Sequence, residues 1–230
     1  MTAHVFTFAD LTFHAEHTGA LWIPNEQMLV VSDLHLGKSD RIARRTGTLI
    51  PPYENLETLT RLTADVDRLQ PETVICLGDS FDDLMGAAAL DAVNHTTLMQ
   101  LQAGRRWIWI EGNHDPGPVD LGGEHRLQYM IETVAFRHIA SKDTPEVSGH
   151  YHPKHGIAGA GRQRPCFVYD ADRLILPAYG AYTGGLSALH PDLRPLWGQQ
   201  PIAVLTGPKA AVPMPLGSNP RRQERGGAFG

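Results

Sequence analysis

Four apolar runs in this chain end in residues that bind cations, and this recurrence restricts the fold more than any other feature. "LVVSDLH" (29–35) ends in Asp33 and His35. "VICLGDSFD" (74–82) delivers Asp79 after Gly78, and "IWIEGNHD" (108–115) delivers Asn113, His114 and Asp115 after Gly112. "EVSGHYHPKH" (146–155) delivers His150 and His152 after Gly149. Residues two apart on a strand project to the same side. A strand over 28–33 that runs on toward His35 would therefore place Asp33 and His35 in one small volume. A glycine before the polar group suits close backbone approach. Any one of these motifs alone reads as a turn with a helix cap. Four in succession, each at the end of a β-like run, predict one shared site at the strand ends, where α/β folds bind their ligands.

The intervening sequence predicts the frame. "HVFTF", "LTFHAE", "GALWIP" and "QMLVVSD" alternate in the manner of short strands and predict a meander. Residues 51–71 place Leu56, Leu59, Leu62, Val66 and Leu69 on one helical face. Residues 39–47 predict a short basic helix stopped by Gly47, and 82–102 a further helix. Strands alternating with helices argue for βαβ units. Beyond residue 131 the pattern is mostly β, in "TVAFRHIA", "CFVYD", "RLILPA" and "PIAVLTG". A single domain over 1–206 is expected. Residues 207–230, rich in Pro, Gly and Arg, read as a disordered tail.

Composition narrows the classes. Hydrophobic residues make up 42% and charged residues 20%, as in soluble globular proteins. No apolar run approaches the roughly 20 residues of a membrane helix. The first residues carry no basic-then-apolar leader, so no membrane association and no secretion are expected. Two cysteines, both in apolar strand-like runs, predict free thiols in a reducing cytoplasm. The net charge of −5 argues against a wholly basic surface but leaves room for a local basic patch.

The polar residues at the strand ends supply only oxygen and nitrogen. Such a set suits Mn²⁺, with Fe or Zn²⁺ as alternatives, better than a thiolate site would. Two divalent ions beside Asp33 and Asp79 would leave a surplus positive charge, suited to hydroxide and an anionic phosphate. A metal pair about 3.5–4 Å apart can clamp the attacking and leaving oxygens of a displacement.

"DLH", "GDSFD", "GNHD" and "GHYH" resemble the calcineurin-like metallophosphoesterase superfamily. The resemblance implies a four-layer αββα sandwich of two mixed sheets flanked by helices. It also implies two divalent metals and hydrolysis of phosphoesters by a metal-bound hydroxide. Carried onto this sequence, it implies that Asp33, His35, Asp79 and His152 hold the first metal, with Asp79 bridging. Asn113 and His150 would hold the second, and His114 would act as general acid with Asp115 orienting it. One more histidine is implied on the second metal. His138, after the strand-like "TVAF", is favoured over His125, which sits in the loop-like "GGEHRLQ". Asp82 and Asp83 read as supporting carboxylates rather than ligands.

"DLHLGKSDRIARRTG" and "LPAYGAYTGGL" further resemble a narrower group, the bacterial ligase-associated DNA damage response endonucleases. That implies a DNA substrate, a repair role and association with DNA ligase or helicase proteins. Lys38, Arg41 and Arg45, with Arg44, follow the first motif and could contact phosphates flanking the scissile bond. Arg164, with His155 and Arg162, could line the same opening. Tyr179 and Tyr182 could stack on bases. Two other readings stay open: a small-molecule phosphoesterase for a cyclic nucleotide, a nucleotide-sugar pyrophosphate or a phosphomonoester, and an inactive interaction scaffold.

Overall fold

The computed structural model describes residues 2–49, 51, 53–88, 90–141, 145–156, 162–198 and 200–217. The predicted meander forms as β1 (His4–Phe8), β2 (Leu11–Ala15), β3 (Leu21–Ile23) and β4 (Met28–Val31), each antiparallel to the next. Two parallel crossovers then add β5 (Thr73–Leu77) and β6 (Arg106–Ile110) beside β4. β4, β5 and β6 are buried along nearly their whole length, as apolar runs covered on both faces must be. β7 (Glu124–Arg126) closes the seven-stranded sheet.

The second sheet begins with the hairpin β8 (Gln128–Ile131) and β9 (Val134–Arg137). β10 (Glu146–Ser148) lies parallel to β9 and to β13 (Arg173–Ile175). β12 (Arg164–Tyr169), which also pairs with the short β11 (Lys154–His155), continues the sheet to β14 (Ile202–Leu205) and β15 (Val212–Pro215). Both sheets are mixed, and they pack face to face. Phe6, Phe13, Ile75 and Ile108 from one meet Phe136, Val147, Phe167 and Val204 from the other in one buried cluster.

α1 (Lys38–Thr46) ends at Gly47 in the left-handed region. α2 (Tyr53–Leu69) turns Leu59, Leu62 and Val66 onto the outer face of the first sheet, against Leu29, Val31, Val74 and Cys76. Leu56, expected on that face, is exposed. The expected helix over 82–102 is split into α3 (Leu84–Ala88) and α4 (Ala92–Gln102). Asp91 is extended and accepts from the Asn94 N–H, so it starts a new helix instead of continuing the old one. The outer face of the second sheet is covered by Ala188, Leu189 and Trp197 around a single 3₁₀ turn, Arg194–Leu196. Both cysteines are buried and free. Among the described residues no helix is long and apolar enough to cross a membrane.

Past the boundary expected at residue 206, the chain still pairs with the second sheet. Val212–Pro215 forms an edge strand on β14, and Thr2 bridges to Ala210. Pro213 and Pro215 suggested irregular chain, but an edge strand tolerates proline because one side needs no ladder donors. The remainder of the expected tail, 218–230, lies outside the described residues.

Candidate metal centre

The carboxyl ends of β4, β5, β6, β9 and β10 face a common volume between the two sheets. The loops after them carry the residues of the four motifs. Asp33 and His35 do meet, but not as members of an extended strand. β4 stops at Val31, and both residues adopt left-handed backbone, φ 54° and 47°. Asp79, His150 and His152 share that conformation, with φ of 45°, 72° and 46°. Each such residue costs on the order of 1–3 kcal/mol and persists only where its surroundings enforce it. Two glycines permit the crowding. A Cβ at Gly149 would collide with Ser32 Oγ, and one at Gly112 with the Asp79 backbone.

Three groups could hold a metal: Asp33–His35–His152, Asp79–His138–His150 and, sharing His35 with the first, His35–Asp82–His114. In the first, His35 Nε2 lies 3.4 Å from His152 Nε2, which lies 3.1 Å from Asp33 Oδ1. Asp33 Oδ1 is buried without a well-formed hydrogen bond, while Oδ2 accepts from Ser32 Oγ and the His150 N–H. In the second, His138 Nε2 lies 3.0 Å from Asn113 Oδ1, 3.2 Å from His150 Nδ1 and 3.4 Å from Asp79 Oδ2. The outer nitrogens fix the tautomers. His35 Nδ1 faces Asp82 Oδ1 at 3.0 Å, and His138 Nδ1 donates to the Leu77 carbonyl at 2.9 Å. A neutral imidazole then turns a bare Nε2 lone pair inward. Lone pairs aimed at carboxylate and amide oxygens repel unless a cation lies between them. The donor set therefore fits divalent metal, with outer partners of the kind that orient ligating histidines.

Charge around the clusters follows the same pattern. Burial pushes the Asp79 carboxyl up, but the hydrogen bond and charge of His138 outweigh it and hold the pKa at about 2. Asp33 is likewise lowered, against its burial, by His152 and His138. Burial pulls His138 down, yet hydrogen bonding to Asp79 and the charges of Asp33 and Asp79 raise it. His150 is lowered by burial and by the neighbouring His138.

Of the two candidate histidines, His138 lies in the cluster. His125 sits on β7, stacked on Trp109. His114 borders the site, with its Nε2 4.0 Å from Asp79 Oδ2 and its backbone N–H donating to Asp79 Oδ1. The expected pairing of Asp115 with His114 does not form. Asp115 accepts from the backbone N–H groups of Asp79, Gly112, Ser80 and Phe81, so both its oxygens are occupied in holding the Asp79 loop. Burial and the charge of Asp79 raise its pKa to about 6 despite those donors. His114 Nδ1 lies 2.9 Å from the Asp82 carbonyl and 3.1 Å from Arg41 Nη1, so it either donates to the first or accepts from the second. Arg41 also donates to Asp82 Oδ2 at 2.9 Å.

The predicted basic residues separate. Only Arg41 reaches the centre. Arg44 pairs with Asp40 and Asp83, so α1 presents no single basic face. Lys38 is half-buried and Arg45 exposed, and neither has an ion pair among the described residues. Arg164 lines a separate cavity with His17 and Arg61. Tyr179 is fully buried and donates to Asp65, which excludes it from stacking on bases, whereas Tyr182 is exposed. Ser32, Arg61 and His17 carried no signal in the sequence: a serine before the motif, an arginine in an amphipathic helix and a histidine in a turn.

Two mixed sheets flanked by helices, with buried Asp/His clusters at the strand ends, define a metallophosphoesterase architecture. The chain belongs to the calcineurin-like phosphoesterase family, whose profile matches residues 27–178. Its fold is similar to that of a nuclease, MPE, from Pseudomonas putida, with a TM-score of 0.72 and 24% identity, covering 93% of this chain and 100% of that one. A predicted phosphoesterase from Streptococcus pneumoniae is more distant, with a TM-score of 0.34 and 15% identity over 82% of this chain and 96% of that one. Among curated proteins no sequence matches this chain.

Proposed function

We propose that this protein is a dinuclear metal-dependent phosphodiesterase acting on nucleic acid, an endonuclease in DNA repair. The observation that carries this reading is the inward convergence of acceptor atoms. Asp33 Oδ1, His35 Nε2 and His152 Nε2 form one set, and Asn113 Oδ1, His138 Nε2 and His150 Nδ1 the other. Asp79, which lies with the second set, would bridge the two ions. Mn²⁺ suits these ligands, with Fe or Zn²⁺ as alternatives. The ions would polarise the phosphoryl oxygens and lower the pKa of attacking water.

The protein's own groups supply the rest. His114 turns Nε2 toward the site while Nδ1 faces the Asp82 carbonyl, and as the doubly protonated imidazolium it would give the Nε2 proton to the leaving oxygen. Asp82 neutralises Arg41 and orients His35, so one carboxylate sets the direction of both a ligand and the His114 support. The exposed Tyr182 is available to a base. The nuclease named among the structural neighbours agrees with a nucleic-acid substrate, and the free buried thiols with a cytoplasmic setting. Association with a DNA ligase or helicase belongs to the same reading.

The test is a turnover panel under Mn²⁺: plasmid DNA, bis(p-nitrophenyl) phosphate, a cyclic nucleotide, a nucleotide-sugar pyrophosphate and a phosphomonoester. The Asp79→Asn variant serves as control. Cleavage of DNA and the aryl diester, lost in the variant, is expected. Turnover confined to the small natural compounds would make the protein a small-molecule phosphoesterase. Metal binding without any hydrolysis would make it a scaffold.

A further inference from the structure

A cavity with mostly apolar walls and two arginines opens at the same end of the sandwich as the metal centre. Its volume is about 450 Å³, and its walls include His17, Thr18, Arg61, Arg164, Thr206 and Gly207. The topology explains its position. β3 is antiparallel to β4, so the turn bearing His17 and Thr18 returns to the end where β4 delivers Asp33. β12 is antiparallel to β13, and β14 to β12, which brings Arg164 and Thr206 to that end as well.

Its chemistry is that of an anion site. No carboxylate lines it, and neither Arg61 nor Arg164 has an ion pair among the described residues. Asp65, which accepts from Thr18 Oγ1 of the wall, and Glu16 are both paired with Arg68. Arg61 is held in place: its guanidinium stacks 4.5 Å over the Tyr179 ring and donates to the Tyr179 carbonyl. Its Nε is buried without a hydrogen-bond partner. His17 Nδ1 donates to the Gly207 carbonyl at 3.0 Å, fixing the far wall. The cavity is also tied to the first cluster. The Tyr179 and Gly180 N–H groups donate to the Ser32 and Asp33 carbonyls.

We infer that this cavity is a phosphate subsite for a single-stranded stretch of the substrate that flanks the bond to be cut. The inference rests on the polynucleotide reading above and narrows it. Arg61 and Arg164 would hold a backbone phosphate, which positions a strand without reading its sequence.

The experiment compares wild type, Arg164→Glu and Arg164→Lys, as full chains. Binding of a fluorescent 12-nucleotide oligothymidylate is measured without metal over a salt series. Turnover of oligothymidylate and of bis(p-nitrophenyl) phosphate is measured under Mn²⁺. For Arg164→Glu, oligonucleotide affinity should fall about tenfold and the salt slope should shrink by about 0.7, one contact on a single strand. The aryl diester, which has no flanking phosphate, should turn over normally, and Arg164→Lys should restore most of the binding. Wild-type cleavage of the oligonucleotide with no effect of Arg164→Glu overturns the subsite alone. A parallel loss on the aryl diester makes Arg164 a support of the metal centre and also overturns it. A wild type that turns over the aryl diester but neither binds nor cleaves the oligonucleotide removes the polynucleotide reading, and the subsite with it.

Discussion

His35 Nδ1 lies 3.0 Å from Asp82 Oδ1, with both side chains almost wholly buried. The carboxylate fixes the proton on Nδ1 and leaves Nε2 bare toward His152. Asp82→Asn keeps the shape and removes the charge. It should weaken Mn²⁺ binding about 10–100-fold while leaving the circular dichroism spectrum unchanged. Titration calorimetry of the two proteins decides the point, and equal affinities would show that His35 needs no such partner.

Gly78 has φ of +70°, and a Cβ there would lie 2.5 Å from the His138 ring. His138 cannot yield without losing the Leu77 carbonyl or leaving its cluster. On the dinuclear reading proposed above, Gly78→Ala should therefore reduce bound Mn²⁺ from two ions per chain toward one. Left-handed alanine adds about 1–2 kcal/mol of strain, and each kcal/mol lowers Tm by about 2–4 °C in a domain of this size. Elemental analysis and a melting curve check both parts. Full occupancy would remove His138 from the ligand set.

Arg41 contacts His114 and Asp82, which form a group with His35, but no atom of Asp33–His35–His152 or Asp79–His138–His150. Arg41→Ala should lower kcat on the aryl diester by about 100-fold, the lower range of general acid–base effects, with Mn²⁺ content near normal. Loss of metal in this variant would instead give Arg41 a role in holding the site together.

Glu124 on the edge strand β7 is gripped by Arg106 and Arg126, which hold its pKa at about 2. A carboxyl lowered on folding adds stability above its ordinary pKa and loses it as the pH falls through the folded value. Glu124→Gln should thus be less stable than wild type at neutral pH, by no more than about 1 kcal/mol for so exposed a cluster. The difference should vanish near pH 2. Melting curves from pH 7 to pH 2 test it, and a gap that persists at the acid end would assign the effect to something other than charge.

Much of the frame was legible because periodicity reports burial directly. The apolar runs of β4, β5 and β6 and the Leu59–Leu62–Val66 face of α2 lie where their spacing placed them. The motifs at the strand ends were legible because cation-binding residues are out of place after buried runs. How Asp33 and His35 meet was not legible, since left-handed backbone at a non-glycine residue leaves no trace in a pattern of periods two and 3.6. The role of Asp115 was hidden for a related reason. Its partners are four backbone amides, and a sequence names side chains only. β15 was obscured by prolines that only an edge strand accepts, and Tyr179 by a buried partner, Asp65, more than a hundred residues away.

Five residues of the centre, Asp33, His35, Asp79, His150 and His152, hold their backbones in a region most side chains avoid. Such loops resemble a drawn bow, and whatever occupies the cage keeps the string taut. Chelation should therefore relax this end of the molecule first, so that amide exchange around 33–35, 79–80 and 150–152 quickens long before the sheets loosen. For the cell, scarcity of the ion would then silence the protein without destroying it, and resupply would restore it with no need to refold.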